Sequence, residues 1–283
     1  MSVREPDRNG GWPVAELERL LEALYRRYHH DFRNYARPSV ARRVERALAV
    51  FGCESVRELE QQVLDDANAF ERLLQILTVP VSEMFRDPGY FLTLRQQVVP
   101  LLQTYPSLKV WVAGCSTGEE AYSLAILLDE EGLLERTLIY ATDINEASLD
   151  TARQGIFPLR EMQRYTENYQ QAGGRGAFSS FYTAAYDGAL LDKRLRTRIV
   201  FADHSLATDS VFSATHLVSC RNVLIYFDKR LQNRALSLFH ESLCPFGFLG
   251  LGSRESLEFT DYNHCFEPVS RPERIYRKRS LPE

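Results

Sequence analysis

The chain has 283 residues, 45% hydrophobic and 25% charged, the balance of an ordinary globular protein with room for one large domain or two modest ones. A net charge of −4 argues against a general nucleic-acid binder. The five cysteines are scattered, without C-x-x-C spacing, which indicates a reduced cytosolic protein rather than a disulfide framework. The start lacks an apolar signal segment and no later run approaches membrane-spanning length, so the expected location is the cytoplasm, without direct membrane insertion.

Residues 1–13 read as a loose tail and residues 14–80 as an all-α domain. Four apolar stripes at helical spacing carry this reading: Leu17 to Tyr28, Val40 to Phe51, Val56 to Leu64 and Phe70 to Leu77, punctuated by Gly52 and Asp65-Asp66. The second stripe is basic on its outer positions, where Arg42, Arg43 and Arg46 follow Arg33 and Arg37. Such a run is either a solvated face or a docking surface for an acidic partner helix.

Residues 77–91 form a link in which Pro80 and Pro88 bracket non-helical chain, and Asp87-Pro88 opens a new helix. Arg86 lies at this junction, either as an interdomain ion pair or as a residue reaching into the cleft of the following domain, residues 81–283. That domain is organised around Lys109–Leu128. Val110–Ala113 suits a strand buried on both faces, Gly114–Gly118 a tight glycine turn, and Ala121, Leu124, Ala125 and Leu128 one face of a helix. The turn lacks both the G-x-G-x-x-G dinucleotide pattern and the Gly-Lys-Ser/Thr ending of a P-loop. Glu119 and Glu120 stand where a phosphate site would want no acid. The pattern suits a cationic or neutral ligand, such as the methionine end of S-adenosylmethionine, or else an ordinary helix with an acidic first turn.

Leu138–Thr142 is the next strand and Ile144–Gln154 the next helix. Asp143, at the strand's carboxyl end, stands where Rossmann-like folds place an acid on ribose hydroxyls; it is alternatively a helix N-cap. Residues 156–197 break the alternation and read as an inserted subdomain, partly β. Strands resume at Arg198–Ala202 and Thr215–Ser219, the second running into Arg221 and Asn222. Helix Lys229–Leu243 follows, and Gly247–Gly252 with Arg274–Arg277 close the chain as an edge hairpin.

The ordered motifs LTVPVSEMFRDP, VWVAGCSTGEEAYSLA, ATDINEASLDTARQGIF, CRNVLIYFD and GFLGLGSRESL closely resemble the chemotaxis-receptor glutamate methyltransferases (CheR type), from about Leu17 to Tyr276. The resemblance implies a Rossmann-like S-adenosylmethionine-dependent methyltransferase sheet with an N-terminal all-α domain and a small inserted β-subdomain. It implies a protein-glutamate O-methyltransferase that uses S-adenosyl-L-methionine, releases S-adenosyl-L-homocysteine and esterifies the cytoplasmic domain of methyl-accepting chemoreceptors, with recruitment to membrane receptor arrays. By position, Glu120 with Glu119 would meet the methionine moiety, Asp143 the ribose, and Leu206 the adenine. Ser82, Gly114, Ser205, Arg221 and Asn222 would line the cofactor cleft, and Arg86 and Tyr226 would stand near the transferred methyl. Arg42, Arg43 and Arg46 gain weight as a docking surface, because receptor methylation regions are acidic helices.

This chain departs from the family pattern in three places. Pro80-x-Ser82 replaces Asn-x-Thr, Ser205-Leu206 replaces Asn-Leu, and Ser253-Arg254-Glu255 replaces His-Ser-Glu. The alternative these raise is a cofactor-binding regulatory protein with weakened catalysis. A nicotinamide oxidoreductase is suggested only by the shared sheet architecture. The histidines show no metal-ligand spacing, so no metal is expected.

Overall fold

The computed structural model describes residues 14–78 and 80–280. The tail expected at 1–13 lies outside the described residues. The chain divides into two compact units, one holding the described residues up to Thr78 together with Tyr226–Arg234, the other Pro80–Ile225 and Ala235 onward.

The first unit is a bundle of four short helices, α1 (Val14–Tyr28), α2 (Arg37–Phe51), α3 (Val56–Asp65) and α4 (Ala67–Thr78). The four stripes form its core, with Leu20, Leu24, Ala47, Leu59, Val63 and Leu73 fully excluded from solvent. Gly52 ends α2 at φ 68°, a left-handed position that favours glycine. Ser55 caps α3 by accepting the Glu58 amide, while the Glu58 side chain accepts the Glu54 amide. Residues 226–234 belong to this unit through backbone pairing: the Ala36 amide donates to the Tyr226 carbonyl at 2.8 Å, and the Asp228 amide to the Asn34 carbonyl at 2.9 Å. The rings of Tyr35 and Phe227 meet edge to face at 4.9 Å.

The second unit is an α/β layer. After α5 (Pro88–Thr93), a π-helical turn at Leu94–Val98 and α6 (Val99–Leu102), strands and helices alternate: β1 (Leu108–Ala113), α7 (Glu119–Glu130), β2 (Thr137–Asp143), α8 (Glu146–Gln154). The insert follows as β3 (Ile156–Pro158), α9 (Met162–Gln171), β4 (Tyr182–Ala185), β5 (Gly188–Leu191) and α10 (Lys193–Arg196). The large sheet then resumes with β6 (Ile199–Asp203), β7 (Thr215–Cys220), α11 (Lys229–Ser242), β8 (Leu243–Leu251), β9 (Phe266–Ser270) and β10 (Ile275–Lys278).

Seven strands form the main sheet in the order β6-β2-β1-β7-β8-β10-β9, and β3-β5-β4 form a separate antiparallel sheet. The first five strands of the main sheet are parallel; β10 runs antiparallel to both β8 and β9. The order departs from the dinucleotide-binding 3-2-1-4-5-6 pattern by one antiparallel strand wedged before the last. Sequence direction reverses between β1 and β7, so the crevice for a ligand opens beyond their carboxyl ends.

Several expectations change in detail. The edge hairpin is β9–β10, with β8 beside it, because a further strand at Phe266–Ser270 precedes the last one. The insert also contains α9, whose polar sequence buries only Met162, Tyr165 and Tyr169. Helix α7 is buried on most of its surface rather than along one stripe, since Tyr122, Ile126 and Leu127 are covered as well. No helix among the described residues is long and apolar enough to cross a membrane.

Candidate active site

The crevice is built from four loops at the carboxyl ends of β1, β2, β6 and β7. The loop after β1 turns at once: the Gly114 and Cys115 amides both donate to the Thr142 carbonyl of β2, at 2.8 and 2.9 Å. Its glycines are required by the protein itself. Gly114 has φ +74° and an added Cβ would stand 2.4 Å from Val223 Cγ2; Gly118 has φ +94° and would meet Ala152 Cβ at 2.9 Å. Glycine at position 114 lets the loops after β1 and β7 approach each other. Ser116, between them, also has positive φ.

Asp143 closes this turn. Its Oδ2 accepts the Ser116 amide at 2.8 Å and its Oδ1 the Asn145 amide at 3.0 Å, and the Ile144 amide contributes as well. Burial nevertheless raises its pKa above the ordinary value, and these amides oppose the rise. The helix N-cap is Asn145, whose side chain accepts the Ser148 amide, so Asp143 is not the cap.

Glu119 is buried and accepts from the Thr117 hydroxyl at 2.7 Å and from the Ser82 side chain; burial raises its pKa. Glu120 is only half-buried. Its Oε1 accepts the Ser219 hydroxyl at 2.6 Å and its Oε2 the Arg221 Nη1 at 3.2 Å. The Arg221 guanidinium is almost wholly buried, with Nη2 donating to Asp87 Oδ2 and to the Arg86 carbonyl, both at 2.8 Å. Two hydrogen-bonded groups thus gather the sequence-predicted residues: Ser82 with Glu119, and Glu120 with Arg221 and the Arg86 backbone.

Arg86 itself presents a contrast. Its guanidinium makes no hydrogen bond or ion pair among the described residues. It lies between Phe85 (φ 52°) and Asp87 (φ 55°), two non-glycine residues held left-handed by the Phe85 amide bond to Ser123 Oγ and by the Asp87–Arg221 ion pair. Such strain persists only where surrounding contacts over-determine it.

After β7, Asn222 takes φ 61° and its loop is clamped by a residue the sequence reading did not assign to the site. Glu255 Oε1 accepts the Val223 and Ile225 amides at 2.8 and 3.3 Å, and Oε2 accepts the Asn222 and Gly252 amides at 3.0 and 2.6 Å. The signal was present in the Gly-Ser-Arg-Glu motif, but nothing in spacing shows what a carboxylate there accepts. Ser205 and Leu206 follow β6. The Ser205 amide donates to Asp209 Oδ2 at 2.9 Å, its hydroxyl accepts the Ala207 amide at 3.3 Å, and Leu206 is buried.

In the helical unit, Arg42 and Arg46 are exposed but Arg43 is not. Arg43 donates to the Leu77 carbonyl, stacks 4.3 Å from the Tyr226 ring centroid and hydrogen-bonds the Tyr226 side chain. The expectation of an outward-facing Arg43 is corrected: its position, three residues after Val40 and four before Ala47, lies in the apolar stripe.

Among the described residues, no cluster of three or more His, Cys, Asp or Glu side chains is placed to hold a metal ion. The crevice suits a nucleoside that carries a cationic amino group. Two Glu120 lone-pair directions remain open, and Ser116 Oγ and Arg221 Nε are buried without a partner among the described residues. Sheet order, acidic turn and β1/β7 crevice together define an α/β methyltransferase domain of the Rossmann-like class.

Comparison with known proteins makes the assignment. Residues 80–275 match the CheR methyltransferase SAM binding domain and residues 15–78 the CheR methyltransferase all-alpha domain. The chain belongs to the CheR methyltransferase family, and its α/β domain is an S-adenosylmethionine-binding domain. It is 62% identical over 263 residues to the putative methyltransferase Cher3 of Pseudomonas putida, covering 93% of this chain and 96% of that protein. It is 32% identical over 202 residues to a chemotaxis protein methyltransferase of Listeria innocua, covering 71% and 74% of the two chains. With the chemotaxis protein methyltransferase of Salmonella typhimurium it shares 28% identity over 250 residues, covering 86% and 84%.

Proposed function

We propose that the protein is a protein-glutamate O-methyltransferase that esterifies glutamate side chains on the cytoplasmic helices of methyl-accepting chemoreceptors. It would work in the cytoplasm and be recruited to membrane receptor arrays. The chemotaxis methyltransferases among its relatives support the receptor as substrate. The observation that carries the reading of a carboxylate substrate is Arg86, whose carbonyl accepts from Arg221 and whose guanidinium makes no hydrogen bond or ion pair among the described residues.

Bound S-adenosylmethionine supplies an electrophilic methyl group and is released as S-adenosylhomocysteine. Glu120, with Glu119 beside it, receives the cationic amino end, and Asp143 the ribose hydroxyls. Ser205, Leu206, Asn222, Ser82 and the Gly114 turn line the remainder. A glutamate with a pKa of about 4.3 is already ionised at neutral pH, so its attack needs no general base. The protein's work is positioning. Arg86 holds the carboxylate through the oxygen that does not attack, because pairing the attacking oxygen would lower its nucleophilicity. By the family resemblance Tyr226 would donate to the substrate carboxylate; within its own unit Arg43 stacks on the Tyr226 ring.

A second reading, a regulatory protein that binds the cofactor but transfers methyl poorly, is favoured by Ser205, whose hydroxyl accepts from its own loop, and by Pro80, which has no amide to donate.

Incubation with labelled methyl donor and receptor fragments tests the assignment: label should enter the fragment and leave under mild base, as a carboxyl ester does. Base-stable label, or none despite bound cofactor, would reject it. Arg86→Ala and Tyr226→Phe should lower turnover by roughly 10²-fold, far more than they weaken S-adenosylhomocysteine binding. Arg42→Glu with Arg46→Glu should raise the KM for receptor fragments and reduce the dependence of rate on salt.

A further inference from the structure

We propose that Tyr90 is a positioning residue of the cofactor site, acting through Ser219 on Glu120 and through ring contact on Arg221. The proposal rests on the reading of Glu120 and Arg221 as residues of that site.

Tyr90 lies in α5, four residues after Arg86, and is 1% exposed. Its ring centroid is 4.2 Å from the Arg221 guanidinium carbon. Its hydroxyl is 2.8 Å from Ser219 Oγ, which is 2.6 Å from Glu120 Oε1. The direction of this chain follows from proton count. Ser219 has one hydroxyl proton and gives it to Glu120 Oε1, so Tyr90 must donate to Ser219. Strand β8 makes room for the phenol: a Cβ at Gly250 would stand 2.1 Å from Tyr90 Oη. One side chain thus fixes both ends of the Glu120–Arg221 pair, the carboxylate by a hydroxyl relay and the guanidinium by its ring.

A carboxylate held on both oxygens has its remaining lone pairs already aimed, so ligand binding need not order it. Tyr90→Phe keeps the ring beneath Arg221 and removes only the relay. It should weaken S-adenosylhomocysteine binding about three- to tenfold, leave kcat at saturating cofactor unchanged, and raise the KM for S-adenosylmethionine in proportion. Ser219→Ala should do the same. Because both act through one path, the double variant should bind no more weakly than the weaker single variant. A purely structural tyrosine would lower the melting temperature without this selective, non-additive loss. Wild-type affinity in Tyr90→Phe, or additive losses in the double variant, would overturn the relay. Absence of binding by the wild type would overturn it together with the site reading on which it rests.

Discussion

Asp143, half-buried, and Glu255, buried, flank the crevice from the β2 and β8 sides, and both are carboxylates that clamp a loop by accepting backbone amides. They differ in what is left over. Glu255 takes two amides on each oxygen, which fills all of the roughly four acceptor directions of a carboxylate. Asp143 accepts the Ser116 amide on Oδ2, the Asn145 amide on Oδ1 and a contribution from the Ile144 amide, fewer than Glu255 accepts, so capacity remains for a ligand hydroxyl. A buried acid at a sheet's carboxyl edge is thus a ligand residue only to the extent that the protein has left it unsaturated. Glu255 is scaffolding; Asp143 is scaffolding with acceptor capacity to spare, as the proposed ribose contact requires.

The comparison is sharpened most by Glu255→Gln. The amide would turn an NH2 toward two backbone donors, leaving two buried N–H groups unpaired, at about 3 kcal/mol in all. For a protein of this size that is roughly 5 °C in melting temperature, read by differential scanning calorimetry. The loss should appear with and without ligand. Asp143→Asn should behave differently: a smaller drop in melting temperature, but about a ten- to hundredfold weaker affinity for S-adenosylhomocysteine, the range expected when a charged hydrogen-bond acceptor is lost. Equal effects of the two variants on stability and on ligand binding would erase the distinction.

The smallest expected effect concerns Glu119, whose pKa burial raises above its ordinary 4.5. The folded protein then holds this proton more tightly than the unfolded chain. Stability from the group is fully present below 4.5 and is lost as pH rises through the higher folded value. Glu119→Gln carries no charge, so its melting temperature relative to the wild type should climb as pH rises from 4.5 through the raised folded pKa and be level below 4.5. A relative stability independent of pH would refute the assignment of an unfavourably buried carboxylate.

Much of this architecture was legible in the sequence because local rules and tertiary demands coincide. Val110–Ala113 is apolar because β1 is covered on both faces, and Gly114 and Gly118 punctuate the turn because both take positive φ. Gly52 marks a helix end for the same reason, while Asp66 ends α3 in extended conformation. What escaped was decided by partners far away in the chain. Helix α9 is held by three aromatic or apolar side chains in an otherwise polar run, against which Gly174 must be bare because a Cβ would meet the Tyr169 ring at 2.3 Å. Arg43 reads as part of a basic face until its position in the apolar stripe is counted. The pairing of Tyr226–Asp228 with Asn34–Ala36 is long-range backbone bonding, which leaves no periodic trace. Within the proposed site, motif and position singled out the acids, while their saturation was not legible, since it depends on which amides the folded loops present.

The most direct measurement is a calorimetric titration of S-adenosylhomocysteine into the wild-type protein and into Asp143→Asn. One ligand per chain, bound by the wild type and weakened at least tenfold by the substitution, is the predicted result. No binding to the wild type, or binding indifferent to Asp143, would contradict the assignment of the β1/β7 crevice as the cofactor site.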